Sequence, residues 1–260
     1  MTNAAVIQVN NVSITFDPPN REPVLAVDNV SLSVPEGRIV AIVGPSGCGK
    51  STLLNLVSGL LQPSAGSVLV KGSPVTKIRT DVGYMFARDG MMPWRTALEN
   101  VEFGLEVRNV PDRRQLAREW LRKVGLDHFQ SHYRHELSQG MRQRVAVART
   151  FAINPDILLM DEPFGALDSQ TRLILQELFL SVWESTRKTV LFVTHDLHEA
   201  IFLSDEVVVF TNRPGKVKSV VPIDLPRPRL SAAELSVSPE YQHLFMRLWE
   251  DIKTEVQVFA

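Results

Sequence analysis

From residue 38 to residue 58 the chain reads RIVAIVGPSGCGKSTLLNLVS. Residues 38–43 are a short apolar run of the kind a buried parallel strand needs, and Lys50–Ser58 carries the pattern of a helix. Between them, Gly44-Pro45-Ser46-Gly47-Cys48-Gly49-Lys50-Ser51 has the spacing of a loop that cradles phosphate, followed by Thr52. Glycines let consecutive backbone N–H groups turn inward around an anion, the helix start adds positive potential, and Lys50 is placed to meet terminal phosphates. Ser51 then stands where a Mg²⁺ ligand is needed. With strand and helix on either side, the loop implies binding of a nucleoside triphosphate. Cys48 inside it reads as a small buried filler, with a reactive thiol as the alternative.

A second apolar run, Ile157-Leu158-Leu159-Met160, ends in Asp161 and Glu162. Two carboxylates closing a buried strand are costly unless a cation or phosphate chemistry lies beyond it, and open α/β sheets bind ligands at that end. Asp161 is placed to hold Mg²⁺ through its water shell, and Glu162 to polarise water attacking a γ-phosphate. His195 follows the strand Thr189–Val193 in the same manner. It reads either as a γ-phosphate contact or as a structural histidine.

Outward from these stretches the pattern alternates between strand and helix. Ala5–Val9 and Val24–Val34 read as strands around a proline-rich turn, Asp17–Pro23. Thr96 with Glu99 predicts a capping box opening a helix to about Arg108, and Asp112 predicts the cap of a second helix running to Val124. Ser138–Ala152 and Ser169–Arg187 read as helices and Val207–Phe210 as a strand. Ser238-Pro239 opens a last helix with Tyr241, Leu244, Phe245, Leu248, Trp249, Ile252 and Val256 on one face. The alternation indicates an α/β fold with a parallel core.

The bulk numbers narrow the function. With 44% hydrophobic and 22% charged residues, the 260-residue chain is expected to fold as an ordinary globular protein. Its 28 basic and 29 acidic residues nearly cancel, so no global field draws it to nucleic acid, and no nucleic-acid partner is expected. One cysteine excludes an internal disulfide and fits a reducing compartment. The opening MTNAAVIQVN lacks the pattern of a secretory leader, and no apolar run approaches the roughly 20 residues that span a bilayer. Work at a membrane would require a partner that supplies the spanning helices.

Leu137-Ser138-Gln139-Gly140-Met141, followed by Arg142-Gln143-Arg144-Val145-Ala146, resembles the signature motif of the ABC ATPase family. Together with the two strand-end motifs, the resemblance covers about residues 5–225. It implies a P-loop NTPase cassette over residues 1–225, with a parallel-sheet core, an antiparallel β subdomain and a helical insert at about 88–152. Residues 226–260 are left as a tail with an amphipathic helix. By the same resemblance Lys50, Glu162 and His195 are catalytic, residues 44–52 bind ATP, and Ser51 and Asp161 hold Mg²⁺. Ser138 and Gly140 face the phosphate bound by a second ATPase subunit, a second copy of this chain, in a head-to-tail dimer. Phe16 stacks on adenine or, alternatively, is a core aromatic of the first strands. Gly165-Ala166-Leu167-Asp168 resembles the loop that crosses the dimer interface, with a simple helix cap at Asp168 or Ser169 as the alternative.

Two features depart from the family pattern. Ala87 stands where the family places a glutamine that senses Mg²⁺ and the attacking water, so Arg88, Asp89 or a water takes over, or hydrolysis is slower. The signature also carries Gln139 for a usual glycine and Met141 for a more frequent glutamine. Gly90-Met91-Met92-Pro93-Trp94-Arg95-Thr96, Asn212-Arg213-Pro214-Gly215-Lys216 and Leu225-Pro226-Arg227-Pro228-Arg229 resemble the nitrate, sulfonate and taurine importer branch. That resemblance implies an ATP-hydrolysing subunit on the cytoplasmic face of the inner membrane. It would power a separate permease supplied by an extracytoplasmic solute-binding protein. Trp94 is then a docking aromatic for the permease or, alternatively, a core tryptophan. A non-transport ABC ATPase, or a nucleotide-binding module with weak hydrolysis, are the competing readings.

Overall fold

The computed structural model describes residues 5–165, 167–229 and 231–256. Among the described residues the strands are β1 (Ala5–Phe16), β2 (Val24–Pro35), β3 (Ile39–Val43), β4 (Ala65–Val70), β5 (Ser73–Pro74), β6 (Val82–Met85), β7 (Ile157–Asp161), β8 (Thr189–Val193), β9 (Glu206–Phe210) and β10 (Val217–Pro222). The helices are α1 (Lys50–Ser58), α2 (Ala97–Val107), α3 (Arg113–Lys123), α4 (Gln139–Ala152), α5 (Ser169–Thr186), α6 (Leu197–Leu203), α7 (Ala232–Ser236) and α8 (Pro239–Val256). Strands β2-β1-β4-β5 make an antiparallel sheet, and β10-β9-β3-β8-β7-β6 make a second sheet, parallel except for the β9–β10 edge pair. This is the α/β P-loop architecture expected from the alternation of apolar runs and helices.

Alternation along the central strands divides two cores. Ile39, Ala41 and Val43 of β3 join Leu158, Met160, Val190 and Phe192 on one face, packed under the helices α2, α4, α5 and α6. Val40 and Ile42 join Ile157, Leu159, Leu191 and Val193 on the other face. There they meet Leu53, Leu54 and Val57 of α1 and the inner side of the antiparallel sheet. All five residues of β3 and of β8 are buried, as strands covered on both faces require. Helix α1 is therefore clamped between two sheets, and the loop that opens it is held from both sides.

The insert follows its capping signals in part. Thr96 Oγ1 accepts from Glu99 N–H and the Glu99 carboxylate accepts from Thr96 N–H, so the expected box forms. Asp112 differs: it sits at φ 53° and its side chain makes no capping bond. It opens α3 through its backbone carbonyl, which accepts from Gln115 and Leu116 N–H. Along α8, Tyr241 and Leu248 are buried and Leu244, Phe245 and Ile252 pack on the core, but Trp249 is 48% exposed. Trp249 falls at the margin of the apolar stripe, where only part of a large ring can be covered. The side chain of Val256, expected on the same stripe, lies outside what is described. The region from 214 to 229 contains β10 and a strap. Within the strap, Arg227 bonds Asp205 Oδ1 at 2.9 Å and Leu203 O at 2.8 Å, and Arg229 bonds Ser204 O at 2.7 Å. These arginines satisfy carbonyls at the C-terminal end of α6.

Candidate nucleotide site

The chain leaves β3 at Val43 and enters α1 at Lys50, so residues 44–49 form a cradle at the carboxyl end of a central strand. Gly49 is required there: its φ is 99°, and a Cβ would lie 2.6 Å from Val27 Cγ2 and 3.0 Å from Ala26 O. No side chain caps α1 and no acidic residue stands in its first turn, so its N-terminal dipole is suited to an anion. Lys50 is 6% exposed and its ammonium donates to Gly44 O and Pro45 O, each at 2.8 Å. Cys48 is fully buried and burial pushes its thiol up, so it fills space as a thiol rather than reacting as a thiolate.

Asp161 ends β7 beside this cradle, where its Oδ1 accepts from Ser51 Oγ at 2.9 Å. Burial raises the Asp161 carboxyl above the usual range; the Ser51 bond and Lys50 oppose the rise, and the charge of Glu162 adds to it. Such a carboxylate gains from a cation, and Ser51 with Asp161 offers the oxygen donors that Mg²⁺ prefers. Among the described residues no cluster of three or more histidine, cysteine or carboxylate groups is arranged for a metal. The two oxygens thus suit an ion that completes its shell with phosphate and water.

Glu162 turns the chain sharply. Its φ of 47° is left-handed, a conformation costing about 1–2 kcal/mol for a residue with a side chain, and it is held by the bond from Glu162 N–H to Val193 O at 2.9 Å. This turn lifts the Glu162 carboxylate out of the strand, where its Oε1 lies 3.2 Å from His195 Nδ1. Both side chains are accessible, at 39% and 65%. Phe16 is 40% exposed at the mouth of the same cleft, so it is not a core aromatic. One cavity of about 230 Å³ gathers Phe16, Ser46, Gly47, Gly49, Lys50, Ser51, Thr52 and Glu162, together with Arg213.

Ser138 and Gly140 are not brought to this cavity. Ser138 caps α4, accepting from Met141 N–H at 3.2 Å, and is exposed, while Gly140 lies against Leu167. Gln139 is exposed, so the change from glycine is absorbed at the surface. Gln143 Nε2 donates to Pro163 O at 2.7 Å, tying α4 to the turn after Glu162. Asp168 caps α5 by accepting from Thr171 N–H at 3.0 Å, as the local alternative anticipated, and Ala166 lies outside the described residues. Ala87 is exposed just beyond β6. Asp89 cannot stand in for a glutamine there, because it is bound to Arg134 and Arg142 at 3.2 Å and accepts from Met91 N–H at 2.9 Å.

Trp94 is 73% exposed, which removes the core alternative. The loop that carries it is fastened by Asn100, fully buried, whose amide donates to Met92, Arg95 and Thr96 carbonyls and whose Oδ1 accepts from Met92 N–H. Arg213 was not legible as a site residue. It reaches the cavity because β9 pairs with β3, Val43 opposite Val209, a neighbour relation that chain order does not disclose.

A glycine cradle on a helix start, an adjacent serine–carboxylate pair and a strand-end glutamate define a P-loop nucleoside triphosphatase. The family model described as ABC transporter matches residues 27–165. An uncharacterized ABC transporter ATP-binding protein of Methanocaldococcus jannaschii is 49% identical over 225 residues, covering 86% of this chain and 84% of that protein. The taurine import ATP-binding protein TauB of Rhizobium johnstonii is 44% identical over 244 residues, covering 92% and 93%. A dimeric post-hydrolysis structure of the ATP-binding cassette MJ0796 with ADP and Pi superposes with a TM-score of 0.77 at 34% identity, over 85% of this chain and all of that one. The chain belongs to the ABC transporter ATP-binding family, and it is an ATPase.

Proposed function

We propose that this chain is the ATP-hydrolysing subunit of an importer for a small sulfonate, taurine, nitrate or a related solute, acting at the cytoplasmic face of the inner membrane. The observation that carries the reading is the separation of the site into two parts. Ser51 and Glu162 line the cavity of the phosphate cradle, Asp161 is bonded to Ser51 and His195 lies 3.2 Å from the Glu162 carboxylate, while Ser138 and Gly140 stand at the start of another helix, outside that cavity. An exposed helix N-terminus is complementary to phosphate, and a second subunit placed head to tail supplies that phosphate. The dimeric cassette structures support this arrangement.

In the closed dimer, Lys50 and the 44–52 backbone bind the triphosphate, and Phe16 stacks on adenine. Mg²⁺, when held by Ser51 and Asp161, neutralises phosphate charge. Glu162 orients and deprotonates the attacking water, and His195 fixes the Glu162 carboxylate and contacts the γ-phosphate. Trp94 docks the permease, and the importer branch is supported by the names of the TauB relatives. Among the described residues no helix is long and apolar enough to cross a membrane, so a permease supplies the path. We also propose the division into a cassette over 1–225 and a tail over 226–260, with no nucleic-acid partner.

Gentle solubilisation of native membranes and affinity purification of the tagged chain test the reading. A multi-spanning permease, with a solute-binding protein in the same system, is the expected companion. Ribosomal or repair proteins without any membrane protein would refute the transport role. Glu162→Gln is expected to bind ATP and remain dimeric on size-exclusion chromatography, with turnover reduced at least about a hundredfold. Rapid turnover by that variant would remove Glu162 from the chemistry.

A further inference from the structure

The loop Thr211–Lys216 between β9 and β10 is fastened directly to the nucleotide site. Gly215 N–H donates to Ala26 O at 2.9 Å, and Asp28 N–H donates to Gly215 O at 3.0 Å. A Cβ on Gly215 would lie 2.0 Å from Cys48 O, so only glycine allows this approach to the phosphate loop. Two residues earlier, Arg213 is exposed, forms no ion pair among the described residues, and lines the same cavity of about 230 Å³ as Ser46, Lys50 and Glu162. The cavity therefore places Arg213 beside the phosphate loop, within the same cleft as the cradle residues. An unpaired guanidinium beside an anion cradle has the planar donor fork that fits phosphate oxygens.

The loop is also gripped by the last turns of α8. Glu255 Oε2 accepts from Asn212 N–H at 3.0 Å, and Asn212 Oδ1 accepts from Arg213 N–H at 2.8 Å. Glu255 Oε1 pairs with Lys218 Nζ at 2.7 Å, and Lys218 also donates to Asp251 O at 2.7 Å. At the other end of α8, Tyr241 Oη lies 2.7 Å from Nδ1 of His198, three positions beyond His195. The helix thus spans from the His195 side of the cleft to the Arg213 side.

We infer that Arg213 binds the phosphates of the nucleotide and that α8, through Glu255 and Asn212, sets its position; the inference rests on the nucleotide-site reading above. Neither element belongs to the motifs that define the cradle, and the C-terminal helix becomes a part of the nucleotide site rather than a packed appendage.

Titration of the full-length protein with MgATP at several KCl concentrations tests this. Arg213→Gln is expected to weaken binding about tenfold and to flatten the decline of affinity with salt, because a phosphate–cation pair is screened by ions. Arg213→Lys, which keeps the charge, is expected to restore most of the affinity. Glu255→Ala, which leaves Arg213 in place, is expected to weaken binding by a smaller factor. Wild-type affinity in Arg213→Gln, or a loss with an unchanged salt slope, would overturn the role of Arg213; wild-type affinity in Glu255→Ala would overturn that of α8. Lys50→Ala separates the two levels. If it abolishes binding while Arg213→Gln does not, the inference alone fails; if neither affects binding, the cradle reading fails with it.

Discussion

Glu199 lies one turn beyond His195, 3% exposed, with its Oε2 accepting from Thr194 Oγ1 at 2.6 Å and its Oε1 without a hydrogen-bond partner among the described residues. Burial, reinforced by the charges of Asp196 and Glu162 against the Thr194 bond and Arg172, pushes this carboxyl up to about 8. A raised pKa means that the fold favours the protonated form. Its contribution to stability is complete below the ordinary value of 4.5 and is lost as pH rises through about 8. The full swing has an upper bound of about 5 kcal/mol. Glu199→Gln removes the titration, so its melting temperature is expected to exceed that of the wild type above pH 8, with the gap closing toward pH 4.5. Calorimetry across that range decides it, and parallel curves would show that Glu199 ionises freely. At this scale the sequence displayed the cradle and the strand-end carboxylates because each is a local run with its mechanism inside it. It did not display the burial of Glu199 or the place of Arg213 in the cleft, because both depend on which elements lie side by side.

Helix α2 and the loop before it show how an element positions a side chain it does not contain. Asn100 satisfies both its donor and acceptor groups on the Met92–Thr96 backbone while fully buried, so the loop keeps one shape with Trp94 outward. Asn100→Ala leaves several of those backbone groups unpaired and is expected to cost about 3 kcal/mol in urea unfolding. It should also weaken association with the permease at full nucleotide occupancy, a result that destabilisation alone would not give if measured well below the unfolding midpoint. The predicted bounds of α1 and β8 coincide with those formed, Lys50–Ser58 and Thr189–Val193: Gly49 and Gly59 bracket α1, and β8 is one short run buried at every position. Strands β4 and β10 and helix α6 passed unread. β4 has three exposed residues before its buried end, β10 begins beyond a proline turn, and α6 is a seven-residue helix stabilised by Asp196, which accepts from His198 and Glu199 N–H, and by the arginine strap.

For the whole molecule, the decisive distance is the one the single chain does not close: Ser138 and Gly140 are absent from the cavity formed by the phosphate cradle. If the two halves of each site come from different subunits, lesions in the two halves must complement. Lys50→Ala removes the cradle lysine, and Ser138→Arg blocks the signature helix start; each homodimer is expected to be inactive. In a mixed dimer both lesions fall into one composite site, leaving the other with an intact cradle and an intact signature. Random mixing of equal amounts should therefore recover up to about a quarter of wild-type turnover, because half the dimers are mixed and each has one of two sites intact. Mixing after subunit exchange, followed by an ATPase assay, measures this directly. Recovery requires sites shared between chains, whereas activity that stays at the level of the separate variants would place the signature and the cradle of one chain in the same site.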